Sequence, residues 1–141
     1  MTDSTPAEVV SGMNELYNDG SPDYYGSDRF LEMFAEDVAC EFLASADSPA
    51  RRVVGREPFR EVSAGAASMF RNRHNTVDVT LAAGDKVVTR YTWSATAAAD
   101  MPGIPAGATV RADGADFHTV KDGPIVAYTN LMGPTLVDDG K

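Results

Sequence analysis

The apolar positions of this chain change their period once, and that change divides the sequence in two. From Pro6 onward they recur at helical spacing: Val9, Val10, Met13, Leu16 and Tyr17 fall on one face of an expected first helix. Thr5 and Glu8 have capping-box spacing, with Pro6 at the first helical position. Asn18-Asp19-Gly20 ends that helix, and a loop with Tyr24 and Tyr25 follows. A short second helix, capped by Ser27 or Asp28, points Phe30, Leu31 and Phe34 inward. Glu36-Asp37 is expected to turn the chain into a strand over Val38 to Leu43, and residues 44 to 54 read as a loop. After Gly55 a third helix carries Phe59, Val62, Ala66, Met69 and Phe70 at helical spacing.

After His74 the period becomes two. Val77, Val79 and Leu81 alternate with Thr76, Asp78 and Thr80, the pattern of a half-buried strand. Gly84-Asp85 turns the chain into a long strand, Lys86 to Thr96. Val87, Thr89, Tyr91 and Trp93 lie on one of its faces, and Val88, Arg90, Thr92 and Ser94 on the other. A loop rich in Pro and Gly leads to a strand over Thr109 to Val120, a Lys121-Asp122-Gly123 hairpin turn, and a last strand over Ile125 to Leu131.

Helices first and strands later imply an α+β fold rather than alternating units. The expected architecture is a cone-shaped, strongly bent, mostly antiparallel sheet wrapped around three N-terminal helices, a cystatin-like α+β barrel. One domain spans 1–141, with its core over about residues 6–132 and a loose C-terminal tail over 133–141. Shared apolar faces leave a cavity at the wide end, suited to a small hydrophobic molecule.

Charge narrows the partners. The formal net charge of −9 lacks the basic footprint that nucleic acids require and disfavours docking on anionic membranes. Cys40 is the single cysteine, so no internal disulfide forms; it reads as a small hydrophobe in a buried strand. Met1 to Ala7 has no basic segment leading into an apolar core, and no apolar run approaches ~20 residues, so a cytoplasmic location is expected.

Candidate chemistry concentrates on the later strands. Asp116 and His118 are two apart and project from one face. If that face lines the cavity, a carboxylate beside an imidazole forms an acid/base centre. The alternative is an exposed polar face, with Ala115, Phe117 and Thr119 buried. Tyr128 and Asn130 share a face of the last strand and either could bond a substrate oxygen, although a satisfied core tyrosine fits equally. Trp93 and Tyr91 read as wall or core. His74 lies at the pocket rim or caps a helix end. Tyr24 and Tyr25 sit in a lid or a surface loop, and Arg90 could pair with Asp116 as a salt bridge. The two histidines and scattered acids lack metal-ligand spacing, and no phosphate loop or nucleophile elbow occurs, so neither metal nor cofactor is expected.

An ordered series of short motifs resembles the nuclear transport factor 2-like superfamily. Within it, the likeness is to the SnoaL-like polyketide cyclase and ketosteroid isomerase-like groups. Phe34-Ala35-Glu36-Asp37-Val38 resembles the junction of second helix and first strand, and Val54-Gly55-Arg56-Glu57-Pro58-Phe59 the entry to the third helix. Ala83-Gly84-Asp85-Lys86-Val87 resembles the family's hairpin. Gly103-Ile104-Pro105-Ala106-Gly107 and Val120 to Val126 resemble the cyclase loop and closing hairpin. The resemblance implies a cone fold with a hydrophobic pocket, and homodimers. It places Asn130 where the cyclases carry an acid/base aspartate, and a neutral amide cannot shuttle that proton. It matches Asp116 to the oxyanion-hole acid of the isomerases, Phe42 to their base and Met13 to their oxyanion tyrosine. Arg90 and Asp116 match two members of an epoxide hydrolase's Asp-Arg-Asp set. His74, His118, Tyr24, Tyr25 and Asn130 resemble in kind the inventory of scytalone dehydratase-like members.

Two functions follow as expectations. One is a cofactor-free isomerase, cyclase or dehydratase acting on a hydrophobic, oxygen-bearing metabolite such as a polyketide. His118 would be its main acid or base and Asp116 a partner or oxyanion donor. Asn130, Tyr128, His74, Arg90, Trp93 and Tyr25 would contact substrate. The other is a non-catalytic binding or association domain, motivated by Asn130.

Overall fold

The computed structural model describes residues 4–18, 28–45 and 48–138. Its first helix, α1 (Pro6–Asn18), starts as the capping box requires. The Thr5 amide donates to Glu8 Oε1 at 2.9 Å and the Glu8 amide to Thr5 Oγ1 at 3.2 Å, so two end donors are satisfied reciprocally. Val9, Val10 and Met13 are the buried face. Helix α2 (Asp28–Leu31) buries Phe30 and Leu31, and α3 (Arg56–Met69) buries Phe59 and Ser63. Met69, expected on the apolar face of α3, is exposed at the helix end. Gly55 enters α3 with φ 105°, a left-handed conformation that only glycine adopts without strain, and its amide donates to the Val38 carbonyl. Arg56 then donates to the Phe34 carbonyl and ties the helix start to the first strand.

Among the described residues the strands are β1 (Phe34–Phe42), β2 (Arg51–Val54), β3 (Phe70–Ala83), β4 (Lys86–Ala97), β5 (Thr109–Val120), β6 (Ile125–Met132) and β7 (Leu136–Asp138). They form one mixed sheet in the order β2-β1-β6-β5-β4-β3, with β7 added to the start of β5. The β1–β6 pair is parallel and the others antiparallel. The sheet is strongly curved and stays open, with β2 and β3 at its edges, and it is the bent, mostly antiparallel α+β sheet that the sequence leads one to expect.

Other corrections have local causes. β1 starts at Phe34 and carries Glu36 and Asp37 within it, because a register shift between Phe34 and Ala39 lets both acids stay in solvent. The expected loop over 44–54 contains β2, whose Arg51-Arg52-Val53-Val54 has no alternation to announce it. The expected tail contains β7, held by three pairs to β5 rather than by burial. β3 begins at Phe70, ahead of His74, and Val79 and Leu81 are exposed rather than half-buried. A second register shift, between Val77 and Val79, turns those two side chains outward.

The core joins α1, α2 and α3 to the concave face of the sheet. Phe30, Phe34 and Phe59 meet at ring-centroid distances of 5.0–6.2 Å, and Val38, Cys40, Val87 and Ile125 complete the packing. Cys40 is buried and free there, with its thiol pushed up to about 12 by desolvation, so it stays a neutral thiol. Asn18 at the end of α1 clamps β3: its Oδ1 accepts from the Asn75 amide at 2.7 Å and its Nδ2 donates to the Asn75 carbonyl at 2.8 Å.

Candidate functional site

Period-two geometry sends the inner side chains of β3 to β6 into one concavity, and the helices roof it. The resulting cavity has a volume of about 340 Å³, within the range of small-molecule sites. Its walls are mostly aromatic: Phe30, Phe34, Phe42, Phe59, Phe70, Trp93 and Tyr128. Against them stand the polar groups Asp116, Asn130, Tyr91, Tyr17, Arg73 and Asn75.

Asp116 is the chemical focus. It faces inward and is only 4% exposed, while Phe117 takes the outer face. Cross-strand pairing sets Asn130 directly opposite it on β6. The Asn130 Nδ2 donates to Asp116 Oδ1 at 2.7 Å, and the Tyr91 hydroxyl donates to the same oxygen at 2.9 Å. Asn130 Nδ2 also donates to the Tyr91 oxygen at 3.0 Å, and Tyr128 hydrogen-bonds the carboxyl as well. These donors favour the carboxylate, but burial opposes them more strongly and raises Asp116 to about 7. At neutral pH the carboxyl therefore holds comparable populations of base and acid. Burial and the neighbouring Asp116 charge push the Tyr91 phenol up, which keeps it a neutral donor.

His118 lies one inward step along β5 from Asp116, on the same face as expected, but no hydrogen bond joins the two side chains. Its ring is 1% exposed, lies outside the cavity lining, and neither ring nitrogen has a hydrogen-bond partner among the described residues. It stacks on Tyr128 with centroids 5.0 Å apart and planes 15° from parallel. Desolvation lowers it to about 4, so the imidazole is neutral at pH 7.

The other expected site residues divide cleanly. Tyr128, Asn130 and Trp93 line the cavity. Arg90 does not pair with Asp116: it is on the outer face and bonds Asp78 at 2.8 Å. The Asp-Arg-Asp arrangement is thus not assembled. His74 is exposed on β3, neither at the rim nor at a helix end, with Nδ1 3.3 Å from Thr76 Oγ1. Tyr24 and Tyr25 lie outside the described residues. Phe42, which the resemblance aligns with the isomerases' base, lines the cavity and carries no acid. Among the described residues no group of three or more His, Cys, Asp or Glu side chains could hold a metal.

Three residues escaped sequence reasoning as site chemistry. Tyr91 read only as wall or core, because nothing in its alternation shows that its hydroxyl reaches Asp116. Tyr17, one helical turn beyond Met13, accepts from Trp93 Nε1 at 2.9 Å. Its i+4 spacing from the position of the missing oxyanion tyrosine was the available signal. Arg73 faces inward because of a bulge.

Gly114 explains how Tyr91 fits. It pairs with Tyr91 on β4 and Met132 on β6. A Cβ on Gly114 would lie 2.6 Å from Met132 Sδ and 2.9 Å from Tyr91 Cζ. Gly114→Ala is therefore expected to push the phenol off Asp116. Losing that donor raises the carboxyl further, and a pH titration of the variant should show its midpoint displaced to higher pH. An unchanged midpoint would mean that Gly114 does not make the room.

Comparison with known proteins bears on the family and the fold. The model of the SnoaL-like domain family matches residues 10–128. Among solved structures, IdmH, a proposed polyketide cyclase from Streptomyces antibioticus, is 23% identical with a TM-score of 0.71, covering 92% of each chain. A proposed polyketide cyclase from Xanthomonas campestris is 26% identical with a TM-score of 0.71, covering 89% of this chain and 87% of that one. A Catenulispora acidiphila protein with a ketosteroid isomerase-like fold, solved with trimethylamine, is 17% identical with a TM-score of 0.68. That match covers 91% of this chain and 86% of that one. No curated protein matches.

Proposed function

The chain belongs to the SnoaL-like domain family, and from that premise we propose that it is a cofactor-free acid/base enzyme acting on a hydrophobic oxygenated metabolite such as a polyketide. Isomerase, cyclase and dehydratase chemistry share the step assigned to it, the transfer of a proton next to a carbonyl. One observation carries the reading: a carboxyl held near neutrality, facing an aromatic cavity of about 340 Å³ and fixed by Asn130, Tyr91 and Tyr128.

Asp116 takes the central role that sequence reasoning gave to His118. As a carboxylate it accepts a proton from the carbon next to the carbonyl, and the electron pair moves onto the carbonyl oxygen. As a carboxylic acid it returns the proton, to the same carbon or another. Asn130 stands where the cyclases have an aspartate, and supports the acid one strand away. Trp93 and Tyr128 position the apolar body of the substrate. His118 stays neutral behind Tyr128 and holds that ring.

Solvent exchange tests this reading. In D2O, the protein should catalyse deuterium incorporation into the acetyl group of 2-acetylnaphthalene, read by proton NMR. Binding without exchange would favour the non-catalytic alternative.

We also propose a homodimer. Register places Leu81, Val88 and Phe117 in one row across β3, β4 and β5 on the outer face, and Leu81 and Phe117 are 64% and 44% exposed. Light scattering should give twice the chain mass for the natural protein and the single mass for Phe117→Glu. A natural protein that runs as a monomer at micromolar concentration contradicts the proposal.

A further inference from the structure

We infer that the cavity has a second recognition point, the side-chain amide of Asn75, which accepts a hydrogen bond from a neutral hydroxyl on the substrate. The inference rests on the reading of the cavity as a ligand pocket and narrows its occupant to a hydroxylated aromatic or polyenic ketone.

The backbone brings Asn75 inward and holds it there. The β3–β4 register shifts between Arg71 and His74, so two residues, Asn72 and Arg73, oppose the single Ala95. Asn72 adopts φ 55° there, a left-handed conformation that asparagine tolerates better than most residues. Bulges of this kind re-aim side chains. Past this one the alternation resumes, with His74 and Thr76 exposed and Asn75 buried between them in the cavity wall. Asn18 of α1 bonds both backbone groups of Asn75, at 2.7 and 2.8 Å, and so fixes where its side chain starts.

That side chain is unsatisfied. Asn75 is 8% exposed, and its Oδ1 has no hydrogen-bond partner among the described residues. Folding has already stripped water from this acceptor, so a ligand donor that reaches it gains a bond without repeating that cost. The terminal torsion of an asparagine is broad, and a small rotation presents Oδ1 to the cavity.

The neighbours select the donor. Asp116 is the one acidic side chain among the described residues of the wall, and it stands at the other pole. An ammonium at Asn75 would be a buried charge without a counter-ion, whereas a hydroxyl needs none. An anion would meet an acceptor oxygen and be repelled. Trp93 pairs directly with Asn75 across β3 and β4 and lines the same wall, which suits a hydroxyl carried on a conjugated ring system.

Register sets the spacing. Asp116 pairs with Thr89, four residues along β4 from Trp93, roughly 13 Å of strand. Two strand spacings, about 10 Å, separate β3 from β5. Curvature of the sheet and the reach of the side chains shorten this diagonal. A reacting carbonyl at Asp116 and a hydroxyl at Asn75 thus stand at opposite ends of a fused-ring skeleton.

Three probes test this: 2-acetyl-6-hydroxynaphthalene, its 6-methoxy ether and unsubstituted 2-acetylnaphthalene, titrated at pH 6, where a phenol is neutral. Trp93, the single tryptophan, lines the cavity and reports occupancy by fluorescence. Against a wall with no partner to offer, the hydroxyl would bind more weakly than hydrogen, because its water is lost and not replaced. The natural protein should instead bind the naphthol at least threefold more tightly than either analogue. Asn75→Leu, close in size and without a polar group, should abolish that advantage. The Asn18 clamp uses only backbone atoms of Asn75, so it persists in the variant, and circular dichroism melts check the fold; if Asn75→Leu does not fold, Asn75→Ala takes its place. An advantage below threefold in the natural protein, or one that survives loss of the amide, overturns the subsite alone. If no probe alters Trp93 emission, the ligand-pocket reading falls with it.

Discussion

Asp116→Asn is expected to lower the rate of solvent exchange into a bound ketone by about 10²–10⁴-fold, the usual contribution of a positioned acid/base group. The substitution is nearly isosteric, and Asn130 and Tyr91 can still bond the new amide oxygen, so the cavity should persist. What disappears is the one group in the polar cluster that titrates near neutrality. The pH dependence separates the candidates further. With Asp116 as base, kcat/KM rises as the carboxyl ionises, with an inflection near its value of about 7. A centre that depended on His118 would inflect near about 4 instead. Tyr91→Phe removes a hydrogen bond that favours the carboxylate, so its inflection should move to higher pH.

The second large effect concerns stability, where the same two residues act in opposite directions. Folding raises Asp116 from 3.8 to about 7. Between those values the folded chain holds a proton that the unfolded chain has released, so stability falls as pH rises through the window. Folding lowers His118 from 6.5 to about 4. Between those values the unfolded chain holds the extra proton, so stability grows as pH rises. Over about pH 4.5 to 6.5 the two slopes nearly cancel. Removing one partner exposes the other. Relative to the natural protein, His118→Phe should lose about 2 kcal/mol of stability between pH 4.5 and 6.5, and Asp116→Asn should gain a similar amount. Urea unfolding followed by circular dichroism at several pH values reads both. Parallel curves for all three proteins would mean that both groups keep their ordinary acidity when folded.

Much of this site was legible before any coordinates. Alternation placed Asp116 with His118 and Tyr128 with Asn130, and burial then chose between the two faces that the alternation had left open. The capping box and Gly55 announced α1 and α3 because local chemistry decides those ends. What stayed hidden depends on register. A bulge at Asn72-Arg73 exchanged His74 for Arg73 in the wall, and no side-chain pattern records a backbone that spends an extra residue. The outward turn at Val79 has the same origin. β2 and β7 escaped notice because short edge strands are held by pairing rather than by an alternating face. The reach of Tyr91 to Asp116 depends on the empty space over Gly114, a contact between residues of neighbouring strands that appears only once the strands are aligned. His118 was assigned the chemistry because imidazoles titrate near neutrality in water. In this fold burial inverts the order and hands that range to the aspartate.

The most direct test is a carbon-13 NMR titration of the Asp116 side-chain carboxyl in aspartate-labelled protein, with Asp116→Asn identifying the signal. A midpoint near 7 is the predicted result. A midpoint near 4, the ordinary range for an exposed aspartate, would contradict the account.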